Sequence, residues 1–152
     1  MNKFLAAAIA GVVLGVLCTI PILSWFFFFW AIGAGGTATY FYIKNSATRV
    51  PISGGLMVGG VTGLVGCIVT SVLSLLLASA KGYETLAKDL GMDPGNLLFD
   101  PDFKSKVTAR LMAALFITDV LVLILAIVGG LIAVPLFEKR KANVAPTTPE
   151  SA

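Results

Sequence analysis

Four long apolar stretches dominate this chain and leave little sequence for anything else. They cover about residues 4–20, 22–43, 52–80 and 110–137. A helix needs about 20 apolar residues to cross the hydrocarbon core of a bilayer. The chain is 57% apolar and 12% charged, and most of the apolar excess over an ordinary soluble domain lies in these stretches. They therefore predict an all-α integral membrane protein with four transmembrane helices in a small bundle.

The polar residues divide the chain into the corresponding parts. Residues 1–137 are predicted to form the transmembrane domain, with an extracytoplasmic polar loop at 81–106. Inside this loop, residues 83–90 can form two helical turns that end at Gly91. Residues 138–152 begin with basic side chains and continue as a segment rich in proline and threonine, which predicts a basic and then disordered cytoplasmic tail.

Aromatic residues mark both ends of the second stretch. They lie at 25–30 and at 40–42, and the outer edges of the two groups are about 26 Å apart along a helix. Tryptophan and tyrosine concentrate at the two interfaces of a bilayer, whose hydrocarbon core is about 30 Å thick. The two groups therefore predict a pair of interfacial belts.

The third stretch carries a ladder of glycines at Gly55, Gly59 and Gly63. Residues four apart lie on one face of a helix, and each interior glycine costs about 1 kcal/mol relative to alanine in a soluble helix. Inside a bilayer, small residues let two helix backbones approach closely. The ladder therefore predicts a glycine-rich helix interface.

A second ladder lies in the first stretch, at nearly the same depth. Because the first and third helices are expected to run in the same direction, the two ladders are predicted to allow these helices to pack closely, within one chain or between copies. The fourth stretch adds a glycine pair. The complete set of predicted packing residues is Ala7, Gly11, Gly15, Gly55, Gly59, Gly63, Gly129 and Gly130.

Basic residues at the ends of the stretches suggest the orientation. Four spans place both termini and the loop between the second and third spans on one side. Lys3, Lys44, Arg49 and the basic residues at 139–141 lie close to span ends on that side, and the first loop has no charge. The third loop, with Arg110 included, also has five basic residues, so the difference in number is small. The positive-inside rule then favours cytoplasmic termini.

Asp119 is the one acidic residue inside an apolar stretch. An ionisable residue in a membrane helix is a functional candidate, here for binding an ion or a proton. Counting back from Phe137 places Asp119 about 27 Å along the helix, near the outer boundary of the hydrocarbon. At that depth it can also simply reach water or headgroups, or pair with a loop lysine. The sequence leaves both readings open.

The remaining chemistry is sparse. The chain has no histidine and two cysteines, Cys18 and Cys67, so the usual zinc sites cannot form. These thiols lie at similar depth and can pair or stay free. No P-loop or Gly-x-Ser-x-Gly motif is present, and the net charge of +3 is too small to suggest nucleic acid. No enzyme activity, cofactor or metal site is therefore expected.

Seven segments spread over all four stretches carry a resemblance to known proteins. They are 10–15, 20–22, 30–36, 40–42, 59–66, 129–132 and 136–141. Together they resemble a family of small, uncharacterised bacterial four-span membrane proteins. The relatives often carry cysteines where Phe26 to Phe29 stand here, which departs from the family pattern. The resemblance implies a multi-pass protein of the bacterial inner membrane and implies no activity.

These observations predict a non-catalytic membrane protein. Its partners are expected to be the lipid bilayer and either further copies of itself or another membrane protein, bound through the glycine ladders. The alternative is a small transporter or channel subunit that uses Asp119.

Overall fold

The structure, a computed structural model, describes residues 3–20, 25–46, 48–97 and 100–144, apart from the side chains of Lys3 and 140–144. No strand occurs in these ranges, which confirms the all-α class. The residues in these ranges form four α-helices and one short 3₁₀ turn. They are α1 (Lys3–Thr19), α2 (Phe27–Asn45), α3 (Ile52–Asp89), the 3₁₀ turn Pro94–Leu97 and α4 (Phe103–Val144).

Two of these helices, and not four, are long and apolar enough to cross a membrane. They are α3 and the part of α4 from Phe103 to Lys139. The apolar part of α1, Phe4–Thr19, is about 24 Å long, which is less than the hydrocarbon thickness of about 30 Å. The apolar character of α2 is diluted by glycine, threonine and Lys44. By length and composition, α3 and α4 therefore qualify as two of the four expected spans, and α1 and α2 do not.

Helix α3 continues into the predicted polar loop. Its regular backbone breaks at Gly82, where φ is +74° and ψ is 157°, and helical geometry then resumes to Asp89. Only glycine adopts this backbone region readily. Gly91 follows with φ +68°. The second helical segment and its end near Gly91 thus confirm the short helix expected at 83–90.

Helix α4 is longer than the predicted fourth span at both ends. It begins at Phe103, because the backbone carbonyl of Asp100 accepts a hydrogen bond from the Phe103 N–H and its first turns bury Phe103 and Val107 against Ala87. At the other end it continues to Val144, so the basic part of the predicted tail is helical. Residues 145–152, for which disorder was predicted, lie outside the described residues.

The four helices align at one end and not at the other. At the aligned end, Ile43, Val50 and Val134 form one buried cluster, and the Val50 N–H donates to Glu138 Oε1 over 2.9 Å. Towards the other end, α1 finishes one residue after Cys18, which shares a cluster with Val122. Because α3 and α4 continue beyond this level, they project past the end of α1 and α2.

Candidate functional site

The glycine ladder of α3 lies against the backbone of α4. A Cβ atom added to Gly59 would lie 2.6 Å from the carbonyl oxygen of Ala126, and one added to Gly63 would lie 2.9 Å from Leu123 Cδ1. Gly55 meets the backbone of Gly130 in the same way. Since real Cβ atoms do not come within 3.0 Å of backbone atoms, this crossing requires glycine at Gly55 and Gly59. At Gly63 the nearest atom is the end of a movable side chain, and the nearest backbone atom is Leu123 Cα at 3.1 Å.

The glycines of α1 pack on another face of α3. A Cβ atom on Gly11 would lie 2.7 Å from the Thr62 carbonyl oxygen, and one on Gly15 would lie 2.6 Å from Val69 Cβ. The helices α1 and α3 therefore do pack closely, but the two ladders do not face each other as expected. Helix α3 lies between α1 and α4, so its ladder serves one neighbour while Thr62 and Val69 serve the other.

A third crossing joins α2 to α4. A Cβ atom on Gly35 would collide with the Ala126 carbonyl group, and one on Gly129 would collide with the carbonyl group of Ile32. Ala126 itself is fully buried. Ala7 also contacts only the chain's own α2 and α3, in a cluster with Ala38 and Val58. All eight predicted packing residues thus lie in contacts within the chain.

Asp119 is held between α4 and α3. Its Oδ2 accepts a hydrogen bond of 2.6 Å from the Ser71 hydroxyl, and its backbone carbonyl lies 3.1 Å from the Cys67 thiol, which donates to it. Its Oδ1 is shielded from solvent and has no hydrogen-bond partner among the described residues. None of the ion pairs in that part of the chain includes Asp119, so no loop lysine pairs with this carboxylate.

The two cysteines stay free, although both lie near Asp119. Cys18 is buried in the cluster that contains Leu14 and Val122, and Cys67 packs against that cluster. Within the described ranges, no three cysteine, aspartate or glutamate side chains are arranged to hold a metal ion. The cysteines are therefore packing residues beside the carboxylate.

A groove lies between α1 and α2 on the outside of the bundle. It has a volume of about 640 Å³, and its lining is apolar except for Thr37. Leu14 forms its floor and is fully buried, while Ile9 and Val13 stand at its edge with about half of their surface exposed. Gly33 also lines it, and a Cβ atom added there would meet nothing within 4 Å. The side chains of the described residues leave this groove unfilled.

Three ion pairs lie among the described residues of the polar loop, distant from the groove, and one of them is at the start of α4. Lys106 donates a hydrogen bond to the Asp100 carboxylate, and the Asp102 N–H donates a second one. The two bonds hold the pKa of the Asp100 carboxyl below its usual value. The bond between Lys106 and Asp100 also raises the pKa of Lys106. The Lys104 ammonium lies 5.7 Å from the centre of the Tyr83 ring. The ion pair therefore holds the residues before α4 to its first turns, and the contact between Lys104 and Tyr83 joins α4 to the second segment of α3.

Sequence reasoning missed two features of this geometry. Ser71, the hydrogen-bond donor to Asp119, is one of several serines in α3, and nothing in the pattern singles it out. The groove had a usable signal, because Ala6 and Ala10 in α1, like Gly33 and Thr37 in α2, are small residues four apart. Comparisons of the chain with protein-family models, curated proteins and solved structures find no match, so its candidate functions rest on geometry alone.

Proposed function

We propose that the protein is a non-catalytic, four-span protein of the bacterial inner membrane that acts by packing against another membrane helix. The groove between α1 and α2 is the docking surface. One observation carries this proposal: Gly33 opens onto the groove with no atom within 4 Å of its Cβ position, whereas the glycines of the predicted ladders are already in contact inside the chain.

The composition of the groove supports a helix as its occupant. In a bilayer, helices associate through close packing of small residues, because lipid supplies no hydrophobic force between them. Two such pairs, Ala6 with Ala10 and Gly33 with Thr37, line the groove. Its wall is otherwise apolar, which suits a surface that faces lipid or a membrane helix.

The two short helices belong in the membrane with the long ones. Gly11 and Gly15 tie α1 to α3, and Gly35 ties α2 to α4, so α1 and α2 share the depth of the spanning helices. A span slightly shorter than the bilayer is tolerated by local thinning at modest cost. Lys44 near the end of α2 supports an orientation with both termini in the cytoplasm.

Photo-crosslinking in the native membrane tests this function. A photoreactive amino acid is placed at Val13, at the groove, and in a control protein at Leu64, which is 55% exposed on α3. The docking function predicts protein adducts from position 13 and lipid adducts from position 64. Lipid adducts alone from both positions would contradict it.

A second candidate function, a transporter or channel subunit, is favoured by Asp119. A carboxylate oxygen that is buried without a partner is costly, and a bound cation would satisfy it. The backbone contacts at Ala126 count against an open path through the bundle. Ion flux into proteoliposomes distinguishes the two functions. Transport requires a flux with the unmodified protein that Asp119→Asn removes. A flux with the unmodified protein that is no higher than with the variant or with empty liposomes excludes it.

A further inference from the structure

The surface around the groove carries protrusions and hollows side by side. Ile9 and Val13 protrude from α1, with 53% and 52% of their surface exposed. Gly33 and Thr37 form the hollow on α2, and both are exposed. A two-fold symmetric interface needs one surface that complements itself, because the same patch is used by both copies. This surface meets that condition.

The protrusions and hollows also lie at matching depths. With 1.5 Å per residue, Ile9 and Val13 lie about 9 and 15 Å from Lys3, while Thr37 and Gly33 lie about 10 and 16 Å from Lys44. Lys3 and Lys44 lie at depths that agree to within about 3 Å. This follows because Ala7, about 6 Å from Lys3, packs in one cluster with Ala38, about 9 Å from Lys44. A two-fold axis along the membrane normal preserves depth, so each protrusion of one copy reaches the level of a hollow in the other.

We propose that a second copy of this chain occupies the groove. Val13 of each copy packs on Gly33 of the partner subunit, and Ile9 packs against Thr37 of the partner subunit, about a two-fold axis along the membrane normal. This inference rests on the proposed docking function and names its partner.

The area available agrees with a specific dimer. The large apolar residues around the groove expose a total surface of roughly 500 Å² per copy, taking the full surface of an aromatic side chain as about 200 Å². These residues are Ile9, Val13, Phe29, Trp30 and Phe41. Two copies would then bury about 1,000 Å², near the lower limit of specific interfaces. The interface is therefore expected to be reversible on dilution in detergent.

Filling the hollow is the direct test. Gly33→Leu places a large side chain where the chain itself has open space, so the monomer should fold normally while the dimer loses its contact. Sedimentation in detergent should change from dimer to monomer, with unchanged helical circular dichroism. The matched control is Gly60→Leu on α3, where the nearest atom to an added Cβ is Ile127 Cγ1 at 3.9 Å. The control should remain dimeric.

Cross-linking between two tagged chains gives a second readout. One chain carries Val13→Cys and the other Gly33→Cys, both with Cys18→Ala and Cys67→Ala. A mild oxidant in membranes should give a mixed-tag disulfide dimer, and a control pair with Leu64→Cys in place of Val13→Cys should give none.

The outcomes separate this inference from the docking function. Protein adducts at position 13 from a chain that sediments as a monomer would overturn the second copy as occupant but keep docking. A dimer that tolerates Gly33→Leu and fails to cross-link would overturn the groove as the dimer interface. A monomer that releases bound phospholipid when Gly33 is replaced would assign the groove to an acyl chain and overturn both.

Discussion

At the scale of single residues, glycines of this chain differ in what surrounds them. Gly59 faces a carbonyl oxygen at a distance that no Cβ atom can share, whereas Gly33 faces open space. Glycine thus allows two helices of the chain to cross closely at position 59, and at position 33 it leaves part of the groove surface without contacts inside the chain. Only the neighbours of each glycine distinguish these roles.

Replacing Gly59 by alanine should destabilise the bundle by about 1–3 kcal/mol, because the added methyl group forces the α3 and α4 backbones apart. Denaturant unfolding in detergent, followed by circular dichroism, measures this change. The control Gly60→Ala adds the same atom where the nearest atom, Ile127 Cγ1, lies 3.9 Å away, and should leave stability unchanged or slightly higher, since alanine favours helix. Equal effects of the two substitutions would contradict the crossing geometry.

Removing the Ser71 hydroxyl should also destabilise the bundle. Ser71→Ala leaves both oxygens of the Asp119 carboxyl without a partner, which should cost about 1–3 kcal/mol. The double variant Ser71→Ala, Asp119→Leu removes both polar groups and should recover most of that loss in the same unfolding measurement. If the double variant is as unstable as the sum of the single variants, the two groups are not coupled.

At the scale of elements, the break at Gly82 divides α3 into two functional parts. The longer part packs in the bundle, and the shorter part, to Asp89, packs on the first turns of α4 through Ala87. The change of direction at Gly82 lets one helix serve both contacts.

A side chain at position 82 should therefore weaken the loop and spare the bundle. Gly82→Ala is expected to cost about 1–3 kcal/mol, because the backbone there has φ +74° and alanine must adopt a strained conformation or straighten the helix. Nothing lies within 4 Å of an added Cβ, so steric contact contributes nothing. Hydrogen exchange should become faster at residues 83–89 and remain unchanged at 55–63; uniform acceleration would argue against a local role.

The ion pair at the start of α4 makes a prediction about pH. Because Lys106 holds the pKa of Asp100 below its usual value, the carboxylate contributes stability above its unfolded-state pKa and loses it as pH falls through the lowered value. The raised pKa of Lys106 means that its contribution is present below its unfolded-state pKa and is lost as pH rises through the raised value. The ion pair therefore stabilises the fold at pH values between the lowered pKa of Asp100 and the raised pKa of Lys106.

Carboxyl NMR titration tests this pair directly. Lys106→Met should raise the pKa of Asp100 towards its ordinary value, because the main hydrogen bond to the carboxylate is gone. The control Lys104→Met removes a nearby charge that lies over Tyr83, and should change this pKa much less. An unchanged Asp100 pKa in Lys106→Met would rule out the pair as its cause.

At the scale of the whole molecule, α4 is the helix that organises the bundle. Its segment around Ala126 and Gly129 receives α3 on one side and α2 on another, while α1 packs on α3. The outer ends of α3 and α4 extend beyond the short helices. This arrangement leaves the groove between α1 and α2 as the unfilled part of the bundle surface.

Reporter fusions test the proposed arrangement in the membrane. Alkaline phosphatase, which is active only outside the cytoplasm, should be inactive when fused after Ala152 and active when fused at Gly91. A fluorescent protein that folds only in the cytoplasm should give the opposite pattern, because four spans place these two positions on opposite sides. One reporter active at both positions would place them on the same side of the membrane, which requires an even number of spans between them and contradicts this arrangement.

The sequence by itself determined the helical class, the turn at Gly91 and the residues that allow close helix contact. These follow from local properties: the length of the apolar stretches, the backbone freedom of glycine and the small size of its side chain. Only the tertiary structure decided that Gly59 meets Ala126, that Asp119 meets Ser71 and that Gly33 meets nothing. The reason is that the partner across a helix crossing depends on the rotation and order of all four helices, and apolar stretches of similar composition do not encode that choice locally.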